Sequence, residues 1–299
     1  MTAHWALYQD TLVPRQDAKT DIEDRGYQFG DGAYEVIRVY SGKLFLAEAH
    51  AKRMDRSLRE LRIPFPDCVE RVLKGAQLLV EAEGIVDGIV YLQISRGVAP
   101  RVHQFPSPEA IPVFSGTASP LPRPFNLIEQ GIRTLLLPDI RWLRNDIKSL
   151  NLLGAVLTKQ HAKERDCYEA ILERDGIMTE GSSSNLFMVT KGELITHPAN
   201  NLILHGITRQ EILRLASETK LPCREKTYTV DELLGADEAF ICGTTTEIMP
   251  ITTIGFFDSQ NKYVEQPIGS GLPGPVTRTL QNTFSRFVED FIAGVRNKS

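Results

Sequence analysis

Gly116-Thr-Ala-Ser-Pro-Leu-Pro-Arg-Pro-Phe-Asn126 is the stretch where the composition of the chain changes most abruptly. Prolines stand at 120, 122 and 124. Each fixes φ at about −65° and withholds a backbone donor, so the tract disfavours helix and suits extended chain. We read residues 120–126 as a linker. It separates a smaller N-terminal domain, residues 1–119, from a larger C-terminal one, residues 127–299.

Working outward from the linker, residues 34–40 are rich in β-branched and aromatic side chains and read as a strand. Ser41-Gly42 then turns the chain and residues 44–46 return, which makes a hairpin. Met54, Leu58 and Leu61 recur at helical spacing in a helix over 50–61, and Val72, Ala76, Leu79 and Val80 do so over 67–83. Residues 89–95 and 111–115 read as further strands. Strands and helices mix here without strict alternation, so the fold class is α+β. Beyond the linker we expect strands at 133–137, 168–172, 185–189, 194–196 and 239–242. Helices are expected at 150–164, 207–218 and 276–293. Short strands with few helices between them suggest a barrel-like second domain.

The chain has 299 residues, with 34 Lys+Arg against 38 Asp+Glu and a formal net charge of −4. This acidic balance argues against a nucleic-acid binder that works by neutralising phosphates. No apolar run of ~18 residues marks a membrane-spanning helix. The N-terminal residues show no basic segment followed by an apolar core, so no secretion signal is expected. Four widely spaced cysteines, Cys68, Cys167, Cys223 and Cys242, form no CxxC pair. A disulfide scaffold or zinc site is not expected, and a reducing cytoplasm is.

The segments that could carry chemistry are modest when taken singly. Lys148, in Arg141-Trp-Leu-Arg-Asn-Asp-Ile-Lys-Ser149, is by default a solvated lysine. It becomes a nucleophile towards carbonyls only if burial or cations such as Arg141 and Arg144 lower its pKa. Glu180, in Thr179-Glu-Gly-Ser-Ser-Ser-Asn185, is a loop carboxylate or a ligand group. Its neighbours Gly181, Ser183 and Ser184 offer amides and hydroxyls for close approach. Gly206-Ile-Thr-Arg209 opens a helix whose first amides can hold an anion, unless Thr208 merely caps it. Gly243-Thr-Thr-Thr246 can supply a second donor loop but lacks the lysine of a nucleotide-hydrolase phosphate loop. Gly30-Asp-Gly32 lacks the third glycine of a dinucleotide fingerprint. Arg101 and His103 lie at alternate positions in a loop and form a plausible carboxylate clamp or an exposed polar turn. No His/Asp/Glu spacing resembles a metal site, and no Gly-x-Ser-x-Gly elbow appears.

Together, an amine, a carboxylate and two anion-binding loops meet the requirements of pyridoxal 5′-phosphate. The sequence resembles the fold-type IV pyridoxal-phosphate aminotransferases, and among them the members that act on D-amino acids. The strongest stretches are Glu23-Asp-Arg-Gly-Tyr-Gln-Phe-Gly-Asp-Gly-Ala-Tyr-Glu35 and residues 141–156, 179–186 and 197–209. The resemblance implies a small α/β domain followed by a larger domain with a pseudobarrel. It also implies transfer of the amino group between D-amino acids such as D-alanine and 2-oxo acids such as 2-oxoglutarate. By that resemblance Lys148 joins the cofactor covalently and shuttles the substrate proton. Glu180 faces the ring nitrogen, with Ser183 and Ser184 close to the cofactor. Arg53, from His50-x-x-Arg53, binds the phosphate together with Ile207, Thr208 and Thr244. Leu204 packs on the ring and Tyr34 lines the substrate pocket. Arg101 and His103 form a carboxylate trap that reaches the pocket of a partner subunit, which implies a homodimer. Gly243 departs from the pattern, standing where close relatives carry serine. A branched-chain L-aminotransferase or an aminodeoxychorismate lyase would share Lys148 and Glu180. A non-catalytic relative should lack one of them.

Overall fold

The computed structural model describes residues 4–295, so the outermost residues of the two expected domains lie outside the described residues. The chain divides into two units. One takes residues up to Pro122 together with Ile147–Asn151, and the other takes Arg123–Asp146 and the chain from Leu152 onward.

The first unit begins with strands β1 (Trp5–Tyr8) and β2 (Thr11–Pro14), helix α1 (Arg25–Phe29), and strands β3 (Gly32–Tyr40) and β4 (Lys43–Leu44). Helices α2 (Ala47–Glu60) and α3 (Cys68–Glu83) follow, then strands β5 (Gly88–Ser95) and β6 (Val113–Pro120). The strands form one antiparallel sheet in the order β2-β1-β6-β5-β3-β4. Alternation along β3 and β5 sends Ile37, Val39, Val90, Leu92 and Ile94 to one face. There they meet Met54 and Leu58 of α2 and Val72, Ala76 and Leu79 of α3 in a common core. Burying each large side chain of that core contributes about 1.5–3 kcal/mol.

Two expectations change here. β6 runs on through Gly116–Pro120, which composition marks as loop-like. It is an interior strand whose Phe114 and Ala118 are buried in the core, and small residues suit it because it lies tight against β5 and α3. Helix α2 begins at Ala47 rather than at residue 50, because Leu46 adopts a left-handed conformation and so sets the helix start.

The second unit holds α4 (Phe125–Gln130), β7 (Ile132–Pro138), α5 (Leu153–Lys163), β8 (Glu169–Arg174), β9 (Ile177–Gly181), β10 (Asn185–Thr190) and β11 (Glu193–Thr196). After these come α6 (Ile207–Glu218), β12 (Cys223–Glu225), α7 (Val230–Leu234), β13 (Glu238–Gly243), β14 (Glu247–Phe257), β15 (Tyr263–Pro267) and α8 (Pro275–Ala293). Its sheet runs β12-β11-β10-β13-β14-β7-β8-β9, with β15 on the flank of β14. The far end of this path returns to its middle: the Gly181 amide closing β9 donates to the Ser184 carbonyl just before β10, at 2.7 Å. The sheet thus curls into a half-barrel, in line with the expected architecture. Helix α5 starts at Leu153, three residues later than expected, because Ile147–Asn151 belong to the first unit.

Candidate active site

In the first unit the site is built around the start of β3. Gly32 has no room for a side chain: a Cβ there would come within 2.5 Å of the Ile94 carbonyl and 2.7 Å of Leu150. That space admits Ile147–Asn151 alongside β3. The Tyr34 amide donates to the Lys148 carbonyl and the Leu150 amide to the Gly32 carbonyl, both at 3.0 Å. This pairing fixes Lys148 half-buried, its Nζ donating to the Tyr34 hydroxyl at 3.3 Å and lying 4.3 Å from the centre of the Tyr34 ring. Among the described residues of this unit no carboxylate pairs with the amine. The helping cations suggested by the sequence are engaged elsewhere. Arg144 is exposed and pairs with Asp146, while Arg141 bridges Asp139 and Glu180.

Behind Tyr34, on the opposite face of β3, lies a buried ionic triad. Glu35 is fully buried and accepts from Arg53 Nε at 2.6 Å and Nη2 at 2.8 Å. His50 Nδ1 sits 2.8 Å from Glu35 Oε2. The His-x-x-Arg spacing is one turn of α2, which puts both basic side chains on the same carboxylate. Burial alone would push the Glu35 carboxyl up. The charge and hydrogen bonds of Arg53, and then of His50, outweigh it and hold the group well below the carboxylate range. Burial conversely depresses His50. An ionised carboxylate only accepts, so the proton of the neutral imidazole sits on Nδ1.

Arg101 and His103 are exposed, and both approach the same ring. The Arg101 guanidinium carbon lies 5.0 Å from the centre of Phe29 and the His103 ring 5.8 Å from it. Their loop is held from behind by Arg25, which donates to the carbonyls of Val102 at 2.6 Å and His103 at 3.4 Å. Asp31 in turn holds Arg25 and Arg96, each at 2.8 Å.

In the second unit Glu180 is buried on β9. It accepts from Arg141 Nη1 and Asn185 Nδ2, each at 2.7 Å, and from the Leu204 amide at 3.1 Å. Burial pushes its carboxyl up, with Arg141 and the Leu204 amide pulling the other way. Gly206, directly before α6, has no side-chain capping bond, and a Cβ there would collide with Asn185 Oδ1. Gly206 is the N-cap, so Thr208 lies inside the first turn and does not cap the helix. The first amides of α6, at Ile207 and Thr208, have no intrahelical acceptor and can meet an anion.

At the turn after β13, Thr244 is half-buried, but the orphan group belongs to Thr246. Its hydroxyl is buried with no hydrogen-bond partner, and a Cβ at Gly243 would stand 3.2 Å from it. The hydroxyls of Ser183 and Ser184, in a segment expected to offer both amides and hydroxyls to the cofactor, turn to the buried carboxylate of Glu169, at 2.9 and 3.5 Å. Ser182 does likewise. The Ser182 amide already donates to the Ala170 carbonyl at 2.9 Å, so the backbone amides of Ser183 and Ser184 are what the segment can offer a ligand. Sequence reasoning missed Asn185 and Thr246 and gave Arg141 a different part. The sequence signal available was their position inside the two segments already singled out. Among the described residues no group of three His, Cys, Asp or Glu side chains is placed to hold a metal ion.

The model of the class IV aminotransferases matches residues 32–254. The chain belongs to that family. It is 43% identical over 278 residues to the D-alanine aminotransferase of Staphylococcus epidermidis, covering 93% of this chain and 95% of that one. It is 43% identical over 282 residues to the D-alanine aminotransferase of Bacillus licheniformis, covering 94% of this chain and 96% of that one. Among solved structures it resembles the branched-chain amino acid aminotransferase of Escherichia coli, with a TM-score of 0.86 and 25% identity over 95% of this chain and 94% of that one. The fold is therefore that of the fold-type IV enzymes, and the chain is an aminotransferase acting on amino and oxo acids.

Proposed function

We propose that the protein is a pyridoxal-phosphate-dependent D-amino acid aminotransferase that moves the amino group between D-alanine-type donors and 2-oxo acids such as 2-oxoglutarate. The observation that carries this reading is the near-complete alignment with D-alanine aminotransferases at 43% identity, against 25% for the branched-chain enzyme. The exposed Arg101-x-His103 pair, braced by Arg25, agrees with it.

The residues fit the cofactor. An amine and a Thr246 hydroxyl that among the described residues have no carboxylate partner and no hydrogen-bond partner respectively, a buried carboxylate and a helix start without a side-chain cap are the groups that a phosphorylated pyridine aldehyde needs. When bound, the cofactor supplies an aldehyde to take up the amino group and a ring that accepts an electron pair. Lys148 is its covalent anchor and moves the substrate proton as general acid and base. The Tyr34 hydroxyl orients that amine. Glu180 presents negative charge to the ring nitrogen and favours its protonated form. Arg53, the amides of Ile207 and Thr208, Thr244 and Thr246 hold the phosphate, and Leu204 packs on the ring. Arg101 and His103 grip the substrate carboxylate. The face of the lysine amine and the side of that grip together select the hand of the donor.

The protein acts as a homodimer. α5 and the residue before it present Leu152, Leu153, Val156 and Leu157 to solvent on one helical face, with Leu153 72% exposed. Four free cysteines agree with a cytoplasmic setting. Among the described residues no helix is long and apolar enough to cross a membrane. Incubation with 2-oxoglutarate and either D-alanine or L-leucine, and separately with aminodeoxychorismate, tests the reading. Turnover of D-alanine alone is expected. Preference for L-leucine, or pyruvate release from aminodeoxychorismate, would overturn it.

A further inference from the structure

Glu180 can serve a ring nitrogen only if it has negative charge to spare, and its nearest charged neighbour takes that charge up. Arg141 donates from Nη1 to Glu180 Oε1 at 2.7 Å, with its side chain only 10% exposed. A carboxylate joined to one guanidinium is a neutral pair. The other Glu180 partners, Asn185 Nδ2 and the Leu204 amide, are uncharged. The structure supplies a second carboxylate. Asp139, directly after β7, is buried and grips Arg141 with a fork: Nε donates to Oδ1 and Nη2 to Oδ2, both at 2.9 Å. The Arg141 amide also donates to Oδ1, at 3.1 Å. The fork leaves Nη1 turned to Glu180. Asp139 is itself fixed, its amide donating to the Glu173 carbonyl at 2.6 Å. Thr179, the residue before Glu180 on β9, donates its hydroxyl to Asp139 Oδ2 at 3.0 Å. Gly154 of α5 lies so close that a Cβ there would stand 3.2 Å from the Arg141 Cα and Cγ, which pins the base of that side chain.

Asp139, Arg141 and Glu180 thus form a line of alternating charges with one negative charge left over. Arg174 approaches Asp139 Oδ1 at 3.5 Å from the outer end, but its side chain is 24% exposed, so water and salt screen its charge before it reaches Glu180. The Cys242 thiol, which burial pushes up, stays neutral and adds no charge beside Glu180. Burial pushes the Glu180 carboxyl up, Arg141 and the Leu204 amide pull it down, and the charge of Asp139 pushes with the burial. A buried set with surplus negative charge is stabilised by a cation, and a protonated ring nitrogen is one. We infer that Asp139 is a positioning residue for the cofactor: by neutralising Arg141 it frees the charge of Glu180 for the ring nitrogen and keeps that nitrogen protonated. This rests on the reading that places Glu180 at the ring nitrogen.

Binding of pyridoxamine 5′-phosphate to the cofactor-free full chain, read by fluorescence titration, tests this without turnover. The control ligand is its 1-deaza analogue, in which a CH group replaces the ring nitrogen. Asp139→Asn should weaken pyridoxamine 5′-phosphate about tenfold, equivalent to about 1.4 kcal/mol, and leave the analogue within about threefold. The double variant Asp139→Asn/Arg141→Gln loses one charge of each sign and so recovers the net charge of the native set. It should bind pyridoxamine 5′-phosphate within about threefold of the native protein. A merely structural role for Asp139 predicts the reverse, with both ligands weakened together and the double variant worse than the single one. Either of those results would overturn the inference. In the loaded enzyme Asp139→Asn should lower kcat for D-alanine about tenfold with KM within about threefold, because a less protonated ring accepts electrons less well. A rise in KM at unchanged kcat would also overturn it. If Asp139→Asn does not fold, the double variant decides alone, and binding weaker than stated, or failure to fold, counts against the inference. A native protein that binds the two ligands equally would instead refute the placing of Glu180 at the ring nitrogen.

Discussion

Glu35→Gln is the perturbation that most sharply tests the physical account of this protein. Glu35 is fully buried and is the shared partner of Arg53, by two hydrogen bonds at 2.6 and 2.8 Å, and of His50 at 2.8 Å. Glutamine keeps the shape but removes the charge, and leaves the Arg53 guanidinium without its carboxylate. Removing one member of such a pair costs about 3–5 kcal/mol, roughly 10²–10⁴ in the folding equilibrium. For a chain of this size that lowers Tm by roughly 10 °C. The assay is thermal unfolding of the full chain at neutral pH and again in acid. The folded-state carboxyl lies below its ordinary value of 4.5, so its contribution is present above that pH and lost as pH falls beneath it. The gap between native and Glu35→Gln should therefore be largest at neutral pH and narrow below about pH 4.5. Adding Arg53→Met to Glu35→Gln should recover part of the loss, since an uncharged side chain then replaces the stranded cation. A Tm change under about 2 °C at neutral pH, or a gap that does not narrow in acid, would refute the reasoning.

Lys148→Ala should abolish turnover and the visible absorption of the cofactor-bearing protein. Borohydride reduction followed by peptide mapping should place the label of the native protein on Lys148. Arg101→Ala should raise KM for both D-alanine and 2-oxoglutarate about tenfold with a smaller change in kcat, as steady-state kinetics would read, because both carboxylates lose a forked partner. Thr246→Val keeps the volume and removes the orphan hydroxyl. It should leave the Tm of the cofactor-free protein unchanged or slightly raised and weaken pyridoxal 5′-phosphate binding severalfold in a fluorescence titration, since one donor to the phosphate is lost.

The parts of the candidate site that the sequence made legible are those where a local frame sets the geometry. His50 and Arg53 sit one helical turn apart, so their convergence follows from α-helical geometry. The helix over Ile207–Glu218 appears where its apolar spacing puts it, with glycine before its first turn. Other elements escaped because tertiary context overrides local rules. β14 carries Pro250, which sequence rules exclude from a central strand. It is tolerated because the pairing with β7 begins only at Ile251, so one flank of the proline has no ladder to break. The hairpin of β1 and β2 turns through Gln9 and Asp10 at positive φ, without the glycine that normally announces such a turn.

The sequence alone determined the mixed fold class and the helical and strand periods, and its resemblance to a family nominated Lys148 and Glu180. The periods depend on residue type and on spacings of a few residues, which local geometry converts directly into direction. Only the tertiary structure decided which polar groups find partners. Ser183 and Ser184 lost their protons' freedom to Glu169, from a different strand, while Thr246 and Arg38 were left with unmet donors. Hydrogen-bond satisfaction is settled between residues far apart in the chain, where a few tenths of an ångström separate a bond from a vacancy, and no local pattern carries that information.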